Sequence, residues 1–286
     1  METRHSETIQ TYINKWLEFC SKRSIHYSSP KISEALEFLM TLHSQGLGCS
    51  SINTARSALS SILTITNSDN FGSHPLTIRF MKGIYELNKP QPKYNQILDV
   101  SKVLDYLKSL APVENLSLKE LTLKTVMLLI LVTGQRGQFI YLLSLTGIQM
   151  ASHIAYLSLD EHTKTSSPNR TTVPVTVTEF SPDNRICPLT TLRTYIKSTE
   201  KLRDGENKLF VNFITPYKAL SRDTISRWTK QVLKNSGIDI SIFNSHSTRA
   251  AAASKAKQKD VPLDTILNTI GWASAQTFKK LYENQY

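Results

Sequence analysis

From Ser117 to Thr133 the sequence runs Ser-Leu-Lys-Glu-Leu-Thr-Leu-Lys-Thr-Val-Met-Leu-Leu-Ile-Leu-Val-Thr, apolar nearly all round the barrel of any helix it forms. A helix without a polar face is stable only where protein covers every side of it. The rest of the chain must therefore supply layers that wrap a buried central helix. Its longest unbroken apolar stretch, Val126 to Val132, is far too short to cross a bilayer. Gly134 follows, and glycine is well suited to the left-handed turn that ends a helix. Arg136 then emerges just past a rigid core element, a good way to fix a charged side chain.

Around that helix the periodicity is mostly helical. The first ninety or so residues read as four amphipathic helices. Their apolar sets are Ile9, Tyr12, Ile13, Trp16 and Leu17; Ile32, Leu36, Leu39 and Met40; Ile52, Ala55, Leu59 and Ile62; and Ile78, Met81, Ile84 and Tyr85. Ser50 or Ser51 is the expected cap of the third. The fourth opens after His74-Pro75, where proline suits a first helical turn. Asn88-Lys89-Pro90-Gln91-Pro92-Lys93-Tyr94-Asn95 then favours a stiff, extended connection, either a basic strap or a plain solvated linker. A helix is expected over 99–110, with Val103, Leu104 and Leu107 on its apolar face. Residues 153–159 and 170–175 read as strands of a small sheet, with Lys164 in the loop between them. Further helices are expected from Leu189, over 221–233, over 249–256, over 263–270 and over 275–282. The fold class is mainly α with a small antiparallel β-sheet, an α+β arrangement. The division expected is a helical domain over 1–88, a linker over 89–97 and a second domain over 98–286.

The formal net charge of +11 suits a polyanionic partner, because neutralising phosphates releases condensed counterions. The basic residues are spread over the helices and not gathered in one tail, which fits a folded surface wrapping duplex DNA. The start, Met-Glu-Thr-Arg-His-Ser-Glu, lacks the positive-then-apolar order of a secretory signal. Cys20, Cys49 and Cys187 show no metal-binding spacing, so reduced, partly buried thiols in an intracellular protein are expected.

Chemistry concentrates near the end, in His246-Ser247-Thr248-Arg249, Gly271-Trp272 and Thr277-Phe278-Lys279-Lys280-Leu281-Tyr282, together with Thr133-Gly134-Gln135-Arg136 upstream. Two guanidinium forks grip phosphate oxygens through parallel, charge-assisted hydrogen bonds. The His246-x-x-Arg249 spacing puts both side chains on one face of a helix start, whose free N–H groups also favour a phosphate. An indole N–H donates but transfers no proton. A phenol beside cations is pushed toward its nucleophilic phenolate. Each piece also has a plainer reading: Arg136 capping a helix end, His246 a cap, Trp272 a packed core residue. Tyr286, one turn beyond Tyr282, is the competing phenol.

The ordered set resembles the tyrosine recombinase (phage-integrase-like) family over nearly the whole chain. The flavour is similar to recombinases of DIRS-like retrotransposons and Crypton elements. That likeness is carried by Thr133-Gly134-Gln135-Arg136, Lys164-Thr165-Ser166 and the Gly-Trp-x-Ser-x-x-Thr-Phe ending at Phe278. Phe80-Met81-Lys82-Gly83-Ile84-Tyr85, followed by Pro90-Gln91-Pro92-Lys93-Tyr94, adds to it. The resemblance implies an N-terminal core-binding domain and an integrase-like catalytic domain that clamp double-stranded DNA. Arg56, Lys82, Lys89 and Lys93 would touch the DNA. It implies Tyr282 as nucleophile, Arg136 and Arg249 on the nonbridging oxygens, and His246 accepting or relaying the tyrosine proton. Lys164 would be the general acid, with Arg170 further along as another cation, and Trp272 would stand where many relatives carry a second histidine. Relatives also carry a carboxylate three residues after the first arginine; here that position is Phe139, beside Gln138. No metal or other cofactor is implied. The resemblance further implies a homo-tetramer on DNA, weak self-association without it, no membrane, and a nuclear location in a eukaryote. Relatives often continue with a helix donated to a neighbour, whereas four residues follow Tyr282 here. The expected function is strand cleavage and rejoining for integration or excision of a mobile element. A type IB topoisomerase-like monomer and a catalytically silent DNA-binding protein of transposon origin are the alternatives.

Overall fold

In a computed structural model of the protein, residues 2–63, 70–87, 89, 98–160 and 174–270 are described. The chain divides into two compact units, Met1–Lys93 and Tyr94–Tyr286.

The first unit is helical: α1 (Glu2–Arg23), α2 (Ile32–Ser44), α3 (Cys49–Ser60) and α4 (Pro75–Leu87). Its core gathers Trp16, Phe38, Leu39, Ile52, Leu59, Phe71 and Ile84. The Trp16 ring meets Phe38 edge-on with centroids 5.3 Å apart. Its indole Nε1 is satisfied by donating to the Tyr27 carbonyl at 2.8 Å. Pro75 does open α4. The third helix differs from expectation: it starts at Cys49 behind an extended Gly48, whose carbonyl accepts from Ser51 N and Ile52 N. Ser50 and Ser51 therefore lie inside the first turn and cap nothing. Three apolar faces also differ. Leu17 on α1, Met40 on α2, and Ile78 and Tyr85 on α4, are exposed, while Ala35, Phe38, Leu42 and Thr77 are buried. Where apolar residues occupy more than one stripe of a helix, the shape of the neighbouring helices selects the buried one.

In the second unit, α5 (Val100–Ser109) is capped by Asp99, whose carboxylate accepts from Ser101 N at 2.9 Å. The apolar run forms α6 (Leu118–Thr133), behind a reciprocal cap. There Glu120 N donates to Ser117 Oγ and Ser117 N donates to the Glu120 carboxylate. Then come α7 (Gly137–Leu142), β1 (Ile148–Met150), β2 (Ile154–Leu157) and β3 (Val175–Thr178). The chain closes its described part with α8 (Pro188–Thr199), α9 (Arg222–Asn235), α10 (Ser247–Gln258) and α11 (Leu263–Ile270). The strands form one antiparallel sheet in the order β1-β2-β3. Ala155, Leu157, Val175 and Val177 make its buried face, and Tyr156 points outward. β1 is a three-residue strand outside the expected pair. The second expected strand begins only at Val175 and runs to Thr178; 170–173 lie outside the described residues. α8, α9, α10 and β3 pack around α6, so the largely apolar helix is covered from Leu121 to Ile130, whereas Val132, expected to be buried, is exposed. No described helix is long and apolar enough to cross a membrane. Cys20 and Cys187 are buried, Cys49 half-buried, and all three are free thiols.

One charged side chain is buried in α6. Lys124 is fully buried, and its ammonium caps the end of α5 by donating to the Leu110 carbonyl. Burial pulls its pKa down to about 8, against the opposing pull of Asp183 and Glu114. The unfolded chain binds this proton up to the ordinary lysine value of ~10.4. Between the two values the unfolded state therefore holds more protons, and the stability Lys124 contributes rises with pH. Thermal midpoints of the native chain and of Lys124→Met, compared from pH 7 to 10.5, should diverge in favour of the native chain above about pH 8.

Candidate active site

The site is built at the carboxyl end of α6. Gly134 takes the left-handed conformation, φ +58°, and its N–H closes the helix on the Ile130 carbonyl at 2.9 Å. The chain reverses there and Arg136, in extended conformation, becomes the N-cap residue of α7 with its side chain exposed. The Arg136 carbonyl accepts from Phe139 N at 2.8 Å. Phe139, where the resemblance leads one to expect an acid, packs against the main core of this unit.

Arg249 arrives from the other side, on the first turn of α10, and is 92 % withdrawn from solvent, with a relative exposure of 8 %. Its Nη2 donates to the carbonyl of Ile270, the last residue of α11, at 2.8 Å. Burial is the main cause that drives its pKa down, to about 10, and the Arg136 charge is the second. The two guanidinium groups are thus near enough to repel. A cation destabilised by both causes is relieved by an anion entering between the pair. His246 is the N-cap residue of α10, exposed, and shares that first turn with Arg249, whose N–H donates to the His246 carbonyl at 3.2 Å.

The loop that presents His246 is fixed by its own polar contacts. Asn244 Oδ1 accepts from His246 N at 2.8 Å, and Ser247 Oγ accepts from Asn244 N at 3.1 Å. A Ser226–Ser245 hydroxyl pair at 2.8 Å ties it to α9. On the sheet side, the Asp160 carboxylate accepts from Ser144 Oγ at 2.5 Å and Thr146 Oγ1 at 3.1 Å. The serine hydroxyl first and the threonine second hold its pKa below the usual carboxylate value.

Of the predicted site residues, the structure brings together Arg136, Arg249 and the turn bearing His246. Lys164, Trp272 and Tyr282 lie outside the described residues, as does Lys93. Among the expected DNA contacts in the first unit, Lys82 is exposed, and Lys89 pairs with Glu86 at 3.0 Å on the surface. Arg56 is half-buried, its Nη1 donating to the Gly72 carbonyl at 3.4 Å. The larger of the two described clefts, about 660 Å³, is lined by Leu145, Arg193, Arg203 and Glu206 among others, and holds none of the predicted site residues. One residue quoted in the sequence motif without a role now has one. Gln135 Nε2 donates to the Thr269 carbonyl at 2.6 Å. Nothing in the sequence signalled it, because its partner is 134 positions away.

The turn at Gly134 tolerates no side chain. A Cβ there would stand 2.6 Å from Ile270 Cγ1, and the positive φ alone disfavours one by ~1–2 kcal/mol. Gly134→Ala should lower the free energy of unfolding in urea by about 2 kcal/mol or more, strain and overpacking combined.

Comparison with known proteins follows the same lines. The sequence profile of the phage integrase family matches residues 96–286. No curated protein matches the chain. Among solved structures, the XerH site-specific recombinase in a post-cleavage complex with its palindromic difH substrate is similar with a TM-score of 0.68. That likeness is at 17 % identity and covers 98 % of this chain and 76 % of that one. The Tn1549 transposon integrase in complex with transposon right-end DNA gives 0.61 at 14 % identity, over 88 % and 80 %. A lambda integrase tetramer bound to a Holliday junction gives 0.54 at 16 % identity, over 98 % and 72 %. At such identities the likeness is one of fold.

Proposed function

The chain belongs to the phage integrase family, and on that premise we propose that it cleaves and rejoins DNA strands at specific sites through a 3′-phosphotyrosyl intermediate. The observation that carries the proposal is the burial of Arg249 on the first turn of α10, near enough to Arg136 for that second charge to oppose its own. In the proposed reaction the Tyr282 phenolic oxygen attacks the scissile phosphorus, and the O5′ bond breaks. The phenol proton passes to His246, and Lys164 protonates the departing 5′ oxygen. Arg136, Arg249 and the Trp272 indole N–H neutralise charge on the nonbridging oxygens as phosphorus becomes five-coordinate. Preorganised donors of this kind commonly supply the largest share of an enzyme's acceleration. Attack by a 5′ hydroxyl of a partner strand then reseals the backbone and releases Tyr282. Because the ester conserves the bond energy, the cycle consumes no nucleotide.

Residues 1–88 serve in this reading as the core-binding domain and 98–286 as the catalytic domain, joined by 89–97. Arg56, Lys82, Lys89 and Lys93 contact the DNA, with Arg56 also bracing its own helix. The XerH, Tn1549 and lambda proteins were solved on DNA, the last as a tetramer. We carry both properties over: double-stranded DNA as substrate, a tetramer as the assembly that exchanges strands. The likeness of the motifs to DIRS-like and Crypton recombinases supports a mobile-element role in integration or excision, and a nuclear location in a eukaryotic host.

The test is a nicked duplex whose sequence the native chain has selected from a random pool. Native protein should form a covalent protein–DNA band, and Tyr282→Phe none. A band surviving in the Phe variant would move the nucleophile to Tyr286. Absence of any band from native protein that binds the duplex tightly would favour a silent DNA-binding protein. Arg136→Ala and Arg249→Ala should each slow adduct formation by ~10²–10³ in single-turnover assays. Arg249→Lys should not restore the rate, since an ammonium cannot hold the Ile270 carbonyl and a phosphate oxygen with one planar fork.

A further inference from the structure

α11 is a short helix resting on a small core. It buries Ile266 and Ile270 against Ala253, with Ala256, Val261 and Leu267 around them, apart from the main core of the unit. The carbonyls of its last turn have no partners within the helix. Two consecutive ones are nevertheless held, by side chains of the candidate site itself. Gln135 Nε2 donates to Thr269 O at 2.6 Å, and Arg249 Nη2 donates to Ile270 O at 2.8 Å. The glutamine is anchored at its own base: its backbone N–H donates to Thr133 Oγ1 at 3.3 Å, and that hydroxyl donates to the Leu129 carbonyl of α6 at 2.6 Å. The Ile270 side chain lies over Gly134, where only the missing Cβ leaves room for it.

We propose that Gln135 is a positioning residue: its amide fixes the carboxyl end of α11, and so the point from which residues 271–286 depart, relative to Arg136 and Arg249. The inference rests on the cleavage reading above. Arg249 cannot do this alone, because a guanidinium that also serves a phosphate is pulled in two directions. The neutral amide has no such competing duty, and being joined to Arg136 by one peptide bond, it ties the helix end to the first arginine directly. Geometry is the quantity at stake. A displacement of about 1 Å at a reacting centre is worth roughly 10²-fold in rate. Gln135 itself needs no contact with DNA, so its loss should slow the reaction without weakening binding.

The experiment uses the full chain and the nicked duplex selected by native protein, with Gln135→Met, which keeps length and bulk but donates nothing. Gln135→Glu, which sets a carboxylate against the Thr269 carbonyl, is the second variant. Adduct formation at saturating DNA should fall about 10- to 100-fold in both. The half-saturating DNA concentration should stay at its native value, and the thermal midpoint of Gln135→Met should fall by no more than a few degrees, as one lost hydrogen bond costs. The inference is overturned if Gln135→Met reacts at the native rate, or if its loss of rate disappears at temperatures where the variant is fully folded or comes with weaker DNA binding, which a merely stabilising clamp would give. Native protein that forms no adduct sinks the cleavage reading and this inference together. Native protein that reacts while the Met variant keeps pace sinks this inference alone.

Discussion

Arg136 and Arg249 repel each other, and Arg249 feels that repulsion in a place where burial already opposes its charge. Something rigid must hold them there, and it is the enclosed helix α6. Its apolar length, from Leu121 to Ile130, is wrapped by neighbours, and burial of such side chains is worth ~1.5–3 kcal/mol each. That favourable term fixes the helix axis, and the left-handed Gly134 then fixes where the chain exits. The arginine pair is thus a strained feature at the end of an unstrained one. An anion beside the two guanidinium groups would relieve that repulsion.

Much of this was legible because it is local. Ser117 three residues before Glu120, the run that follows, and Gly134 at its end specify a helix, its start and its stop within twenty residues. Pro75 and Asp99 mark helix starts by the same short-range chemistry. What escaped depends on neighbours. Met40, Ile78 and Tyr85 sit on stripes that are as apolar as the buried ones, and only the packing partners decide which stripe is covered. β1 spans three residues, Ile148–Met150, too few for an alternating pattern to declare itself. Lys124 was read as part of an apolar surface, and its charge is tolerated only because the end of α5 offers a carbonyl.

The site divides along the same line. The helix termini that carry Arg136, His246 and Arg249 were legible, since their signals are written beside them. The way they are held was not. Phe139 stands where the resemblance places an acid, and its ring packs against the core. The contacts of Gln135 and Arg249 to the end of α11 join segments far apart in sequence that share no local signal, so only the fold brings them together.

The contact of Gly134 with Ile270 is asymmetric, and this shapes how such a chain can drift over generations. Trimming residue 270 to a smaller side chain would clear the space, yet the backbone at 134, with φ +58°, would still discourage any residue bearing a Cβ. Keeping glycine at 134, by contrast, leaves the turn unstrained, and the size of residue 270 is then limited by the small core it fills with Ala253 and Ile266. The allowed order of change is therefore one-way: the helix end can adapt to the turn, but the turn cannot adapt to the helix end.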